Sequence, residues 1–526
     1  MAYLRPDTKC EPLVQDWYAW CHLIAPAPMA MNFAYRYLPT LQSFVSNPAV
    51  HVSASADPTM FGGPFVSLPL AAKAEAEALR RTIERDLDEV LSLARQTRAF
   101  DQVLQEEASG HCLEAFEPRV PNLLSGRVEM LYDGMNRPRL RFIEELFSDS
   151  ALSGAGHQSL RISREREEDR DFFLSTPRLP RPDELRLRLP FADRRHDLLA
   201  RMRTEDLDPV EVSSALSLDD DQKRAFEDLL QVEPPPRRAP HASPDQVRIR
   251  YFGHACVLIQ TPRTAILIDP LISADGAVGD GRFSLCDLPD VIDHVVITHG
   301  HQDHLVPETL LQIRHKVRNV VTPRTNGGAL IDPSLKLMLR ALGFDSIQVV
   351  DPFDEIAFAD GRIVSLPFPG EHCDLDIHSR QGLLVEARDL KVLFLVDSRA
   401  SSDMLYRRIA ERIGPVDVAF IGMECDGAPL TWLYGPLLTK APNRKDDESR
   451  RMSSSNAEQA VAVLKRFDVG HAYVYAMGQE PWLRYIMGLE YAPDSVQLKE
   501  CEKLAGLCAE AGIPLTRLNL AAEITR

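Results

Sequence analysis

Thr298-His299-Gly300-His301-Gln302-Asp303-His304 sets three histidines and an aspartate within six residues, directly after the apolar run Val291 to Ile297. Imidazoles crowded in this way repel one another when cationic and need partners when neutral. A shared metal answers both demands, whereas the competing reading, a polar surface loop, answers neither. In an extended turn alternate residues project to the same side, so His299 and His301 can grip one ion while Asp303 and His304 reach a second.

Outward from this run the pattern is that of strands and turns. Val247 to Phe252 alternates, Ala255 to Ile259 and Ala265 to Asp269 are short β-branched runs, and Leu305 to Val317 reads as a helix. The arrangement is an α/β layered domain, with the histidine run at a strand's C-terminal end, where such folds keep their ligands.

Further upstream, Glu233-Pro234-Pro235-Pro236-Arg237-Arg238-Ala239-Pro240 and His241-Ala242-Ser243-Pro244 can continue neither a helix nor a central strand. The domain boundary falls there, giving residues 1–240 and 246–526. Ala71 to Glu107 reads as one or two amphipathic helices. Met31 to Phe65, aromatic and punctuated by Gly and Pro, reads as irregular structure packed on something else. Ser163 to Arg203, dense in Arg, Glu and Asp, reads as a solvated helix face, with a docking surface for an acidic partner as the minority reading.

Whole-chain properties narrow the class. The 526 residues are enough for two or three domains, and 44% hydrophobic with 26% charged is an ordinary globular composition. Sixty basic against 77 acidic residues leave a formal charge of -17, which disfavours nucleic acid as a partner and so lowers the nuclease branch among proteins with His-rich metal motifs. Nine cysteines without a CxxC pair read as reduced thiols. With no signal-like N-terminus and no apolar run of about 18 residues, a cytoplasmic protein without membrane anchor is expected.

The HxHxDH run after a strand, together with Gly253-His254-Ala255 and Ile268-Asp269-Pro270, resembles the metallo-β-lactamase superfamily. That resemblance implies a C-terminal αββα sandwich behind an N-terminal mixed α+β domain. It also implies further ligands from successive strand ends. Pro367-Phe368-Pro369-Gly370-Glu371-His372 offers Glu371 or His372 for the first metal. Val392 to Val396 ends in Asp397, which matches the bridging carboxylate. By order along the chain, His471 is the candidate for the last ligand of the second metal. His254 and Asp269 match early-strand residues that support ligands, and His372 and His378 are neighbours.

Three stretches narrow the branch: Glu371 to Ile377, Asp397-Ser398, and Gly422 to Pro429 with Trp432-Leu433-Tyr434-Gly435-Pro436-Leu437. With the N-terminal extension of about 240 residues, they resemble the diiron β-hydroxylases, known from chloramphenicol biosynthesis. The resemblance implies a non-haem diiron monooxygenase of antibiotic or related biosynthesis, which uses O2 to hydroxylate the β-carbon of an amino acid. That amino acid would be carried as aminoacyl-phosphopantetheine on the carrier domain of a nonribosomal peptide synthetase. It further implies an external electron donor and a homodimer formed through residues 1–240, which would also cover the active site.

Carried over, His299, His301 and Glu371 hold the first iron, Asp303, His304 and His471 the second, and Asp397 bridges them. Glu371 and Asp397 are the residues closest to the chemistry, and Glu424 and Asp426 support the site or touch substrate. A carboxylate in place of an imidazole adds a hard oxygen donor and favours iron over zinc. The alternatives are a dizinc hydrolase of an ester, lactone, phosphodiester or thioester, and a non-catalytic partner that retains the fold.

Overall fold

The computed structural model describes residues 1–148, 151–164, 170–238, 243, 246–274, 281–488 and 490–525. Part of the Pro-rich junction and part of the Arg-rich stretch therefore lie outside the described residues.

The C-terminal half is built on two seven-stranded mixed sheets. In the first, Ala265–Ile268, Ile292–Val296, Val317–Pro323 and Ile347–Val350 run parallel. Val257–Gln260 and Arg248–Tyr251 extend it antiparallel, and the final strand, Ala522–Thr525, returns to pair with Arg248–Tyr251. In the second, Glu355–Phe358, Gly361–Leu366, Gly382–Ala387 and Leu390–Val396 form an antiparallel meander. Val418–Gly422, His471–Tyr475 and Leu515–Arg517 then join in parallel.

The period-2 alternation of strands explains why the sheets stack. Val257, Ile259, Ile266 and Ile268 point into one core with Val392, Phe394, Val396 and Phe420. Alternate residues face outward under helices: Leu393 and Leu395 pack with Tyr406, Leu464 and Leu504, and Leu258 and Leu267 pack on the other side. This is the αββα sandwich.

The N-terminal half has a four-stranded antiparallel sheet ordered Trp17–Tyr18, Thr8–Val14, Gln158–Arg164, Leu185–Leu187. Its helices include Lys73–Asp86 and Asp88–Glu107, in line with the reading of residues 71–107. Trp17, Phe33 and Leu91 share one hydrophobic cluster with Leu258, Leu267 and Leu310. The two halves thus meet through a continuous apolar core.

Three expectations change. Residues 31–65 are mostly helical, because the prolines stand in the first turns of Pro26–Asn32, Leu38–Ser46 and Pro48–Ser55, where a missing N–H costs nothing. The helix after the histidine run is short, Pro307–Ile313, since Val317 already opens the next strand. The Arg-rich stretch is not a solvated helix face. Among its described residues the one helix is His196–Arg201, and Arg170, Arg178 and Arg203 are buried while Arg181 and Arg194 are exposed.

Candidate metal centre

Thr298 to His304 leaves the first sheet and crosses to the second. Gln381 N–H donates to Thr298 O at 2.8 Å and its Nε2 donates to Ile297 O at 2.9 Å, stitching the edges of the two sheets together. Gly300 lies against Leu335, Ser379 and Cys21, and a Cβ there would sit 3.3 Å from the Leu335 side chain.

Around this loop, His299, His301, Glu371 and His372 form one group whose possible ligand atoms lie within 4.8 Å of one another. His299, His304 and Asp397 form a second, and His254, Asp303 and His304 a third, on the same criterion. All these residues are buried except Glu371, which is nearly so.

Each imidazole of the run His299 to His304 has one nitrogen facing inward and the other held from behind. His299 Nε2 lies 3.8 Å from Glu371 Oε2 and 3.9 Å from Asp397 Oδ2, with Nδ1 3.0 Å from Thr298 Oγ1. His301 Nδ1 is 2.6 Å from Glu371 Oε1, and Nε2 is 2.7 Å from Tyr434 Oη. His304 Nε2 is 2.8 Å from Asp397 Oδ2, and Nδ1 is 2.9 Å from Asp269 Oδ2. Such backing partners fix the orientation of metal-binding histidines.

The donor set fits two ions. His299 Nε2, His304 Nε2, Glu371 Oε2 and Asp397 Oδ1 are buried without a hydrogen-bond partner. The short His304–Asp397 approach therefore lacks hydrogen-bond alignment. Orphaned lone pairs converging in this way are costly unless a cation takes them up.

Electrostatics agrees. Burial pushes the Glu371 and Asp303 carboxyls up, but His301 and His372 around the one, and His304 and His254 around the other, outweigh it and hold both well below the usual range. Burial and the neighbouring His304 keep His299 neutral. Burial also lowers His304, but Asp397 and Asp303 outweigh it and raise this imidazole.

The backbone is strained around the cluster. His254, Asp269, Glu371 and Val396 all adopt positive φ, at 48°, 40°, 64° and 52°. For a β-branched residue this is an outlier, of the kind that clusters at active sites. At Val396 the register slips against the neighbouring strand, and this bulge aims Asp397 inward. Gly422 is required beside it, because a Cβ would stand 2.5 Å from Asp397 Oδ1.

The remaining sequence-selected residues divide. His372 Nδ1 lies 2.9 Å from Glu371 Oε2, and His254 Nε2 lies 3.0 Å from Asp303 Oδ2, so both touch the cluster directly. Glu424 lines the metal pocket and accepts from Tyr491 Oη at 2.5 Å. Asp426 instead pairs with exposed Arg451 at 2.7 Å, and His378 pairs with Asp376 at 3.0 Å.

His471 is not brought to the site. It opens its strand opposite Val418, whereas the cluster gathers near Gly422 at the strands' other end. Its Nε2 lies 2.9 Å from Thr516 Oγ1. Position along the chain selected it, but a parallel strand carries only its last residues to the C-terminal edge, and His254 occupies that side of Asp303 instead. Tyr434 was missed as a supporting residue. Its motif was visible, but no spacing rule ties it to a histidine 133 residues away.

The pocket over the cluster is about 50 Å³, walled by Trp432, Met452 and Met487 with Gln302, Ser453 and Ser454. Among the described residues no helix is long and apolar enough to cross a membrane.

Comparison with known proteins adds the lineage. Residues 3–234 match the N-terminal domain of diiron non-haem β-hydroxylases, and residues 264–475 match the β-lactamase superfamily domain. The chain is 34% identical over 525 residues to the 4-amino-L-phenylalanyl-(CmlP-peptidyl-carrier-protein) 3-hydroxylase of Streptomyces venezuelae, covering 98% of each. The crystal structure of CmlA, a diiron β-hydroxylase from Streptomyces venezuelae, is 33% identical, covers 100% of both chains and superposes with a TM-score of 0.93. A Glu-to-Asp variant of CmlA gives 0.91. A metal-dependent hydrolase of Listeria monocytogenes is 27% identical over 184 residues, 33% of this chain and 72% of its own.

Proposed function

The chain belongs to the diiron non-haem β-hydroxylases, and from that premise we propose that it hydroxylates the β-carbon of an amino acid held as a thioester on the carrier domain of a nonribosomal peptide synthetase. The named relative acts on a peptidyl-carrier-protein-bound amino acid, and the present chain takes the same class of substrate. The observation that carries the reading is Glu371. It is a carboxylate where the hydrolases of this fold use an imidazole, and its Oε2 accepts no hydrogen bond inside the histidine cluster although His372 Nδ1 lies 2.9 Å away.

In this reading His299, His301 and Glu371 would hold one iron and Asp303 and His304 the other, with Asp397 within reach of His299 and His304. When bound, the two irons supply the activation of O2 and the oxidising power that breaks the β-C–H bond. The protein's own work is to shape and exclude. Thr298, Tyr434 and Asp269 fix the imidazoles from behind. Glu371 would add a carboxylate oxygen to the ligand set, its Oε1 lying 2.6 Å from His301 Nδ1 and its Oε2 2.9 Å from His372 Nδ1. Trp432, Met452 and Met487 keep water from the pocket and face the amino-acid side chain.

Glu424 sits on the same wall. Burial and the neighbouring Asp397 raise its carboxyl well above the usual range, and its Oε1 accepts from Tyr491 Oη. Hydroxylation by O2 consumes two electrons and two protons and yields water. The electrons come from a separate donor protein. The chain works as a homodimer through its N-terminal half, in the cytoplasm.

The test is to reduce iron-loaded protein, add O2 and a panel of carrier-bound amino acids, and look by mass spectrometry for a product heavier by one oxygen. Turnover of a simple ester or thioester with no oxygen gained on any of the panel would overturn the reading in favour of a hydrolase.

A further inference from the structure

Within the N-terminal half, the helix Pro26–Asn32 runs into a wider turn, Phe33–Tyr37, where Leu38 N–H donates to Phe33 O, one residue further back than in an α-helix. Such turns recur at functional sites. This one carries Arg36. Its Nε donates to Asn32 Oδ1 at 3.1 Å, and its two terminal nitrogens reach across to the C-terminal half, Nη1 to Trp432 O at 2.9 Å and Nη2 to Leu433 O at 2.7 Å. Burial lowers the guanidinium to about 10, which leaves it charged at neutral pH.

The two carbonyls belong to the short helix Leu430–Tyr434. The last carbonyls of a helix have no intrahelical donor and carry its negative end, so a guanidinium fork suits them in both geometry and charge. Five residues cannot hold a helix by propensity alone. The helix bears two residues of the site: Trp432 in the pocket wall and Tyr434, whose Oη lies 2.7 Å from His301 Nε2. Trp432 is tied to the N-terminal half a second time, through Nε1 to Gly62 O at 2.9 Å.

We propose that Arg36 is a positioning residue of the metal centre: by capping the Leu430–Tyr434 helix from the other half of the chain, it holds Tyr434 against His301 and Trp432 in the pocket wall. The inference rests on the proposed role of His301 as a metal ligand. It makes the N-terminal half a working part of the site, acting on the orientation of one ligand and on the fit of the substrate.

The experiment uses the full chain loaded with cobalt(II), whose visible absorption reports ligand geometry, alongside the iron protein for kinetics. Tyr434→Phe shifts the cobalt bands and speeds loss of cobalt to a chelator about tenfold. Arg36→Lys keeps the charge but loses the fork. It shifts the same bands in the same direction, raises KM for the carrier-bound substrate, and adds nothing further when combined with Tyr434→Phe. Asn32→Ala, which removes the tether on Nε together with the bond from Asn32 Nδ2 to Pro28 O but leaves the fork on the two carbonyls, gives a smaller shift of the same bands and guards against loss of folding in the Arg36 variant. Wild-type bands in Arg36→Lys, or a shift that simply adds to that of Tyr434→Phe, would overturn the inference. Failure of the wild-type chain to take up cobalt would overturn the metal-site reading, and the inference with it.

Discussion

The two halves of the chain bury charge in opposite ways. In the N-terminal half the buried carboxylates Glu11 and Glu184 meet their cations. Glu11 accepts from Arg161 at 2.5 Å and Arg178 at 3.1 Å, with Arg170 at 3.6 Å, and Glu184 accepts from Arg161 and Arg186 at 2.6 Å each. Glu308, on the helix after the histidine run, belongs to the same network through Arg170 and the Tyr18 hydroxyl, both at 2.8 Å. At the metal edge of the C-terminal half, imidazoles and carboxylates point lone pairs at one another with several atoms unpartnered. Matched burial stabilises structure or at least does not strain it, whereas unmatched convergence is retained for a ligand.

The contrast can be broken experimentally in descending order of effect. His299→Ala or Asp397→Ala should abolish binding of at least one iron and lower hydroxylation on the order of a thousandfold, about 4 kcal/mol. The thermal unfolding midpoint of the metal-free protein should stay near that of the wild type. Metal analysis and calorimetry on the same preparation check both halves of that statement.

Glu11→Gln should do the reverse, costing about 3 kcal/mol of stability by removing the buried charge that Arg178, Arg161 and Arg170 share, with metal content per folded molecule unchanged. The pH dependence follows. Burial raises the Glu11 carboxyl, but Arg178, Arg161 and Arg170 outweigh it and hold it far below its ordinary value of 4.5. Its stabilisation is therefore present above about 4.5 and is lost as pH falls below it. Acid titration of the unfolding midpoint should show this loss in the wild type and a flatter curve in Glu11→Gln.

Asp269→Asn, which weakens the backing of His304, should cost about tenfold in iron affinity, read by chelator competition. His471→Ala is the smallest expected effect, within about 0.5 kcal/mol in stability and without loss of iron. Loss of one iron in this variant would restore His471 as a ligand.

How far the sequence revealed the molecule depends on the range of the interactions. His299 to His304 was legible because four donors lie within one turn and no other residue is needed to make sense of them. Asp397 was legible because an apolar strand ends on it, though the slip at Val396 that aims it was not. His471 misled because spacing along the chain says nothing about which edge of a sheet a strand's first residue occupies. The Arg-rich stretch misled for a related reason: its partners, Glu11 and Glu308, are 167 and 138 residues from Arg178 and Arg170. Arg36 lay beyond reach of any pattern, since it meets Trp432 and Leu433 only when the two halves pack, and Tyr434, though in a visible motif, is tied to His301 only by the fold.

The central claim, that the unmatched cluster serves oxygen chemistry and not hydrolysis, is tested most directly by turnover under isotopically heavy O2 in ordinary water. Reduced, iron-loaded protein with a carrier-bound amino acid should place the heavy atom on the β-carbon of the product. A product whose new oxygen comes from water, or release of the amino acid from its carrier without any oxygen on the β-carbon, would contradict it.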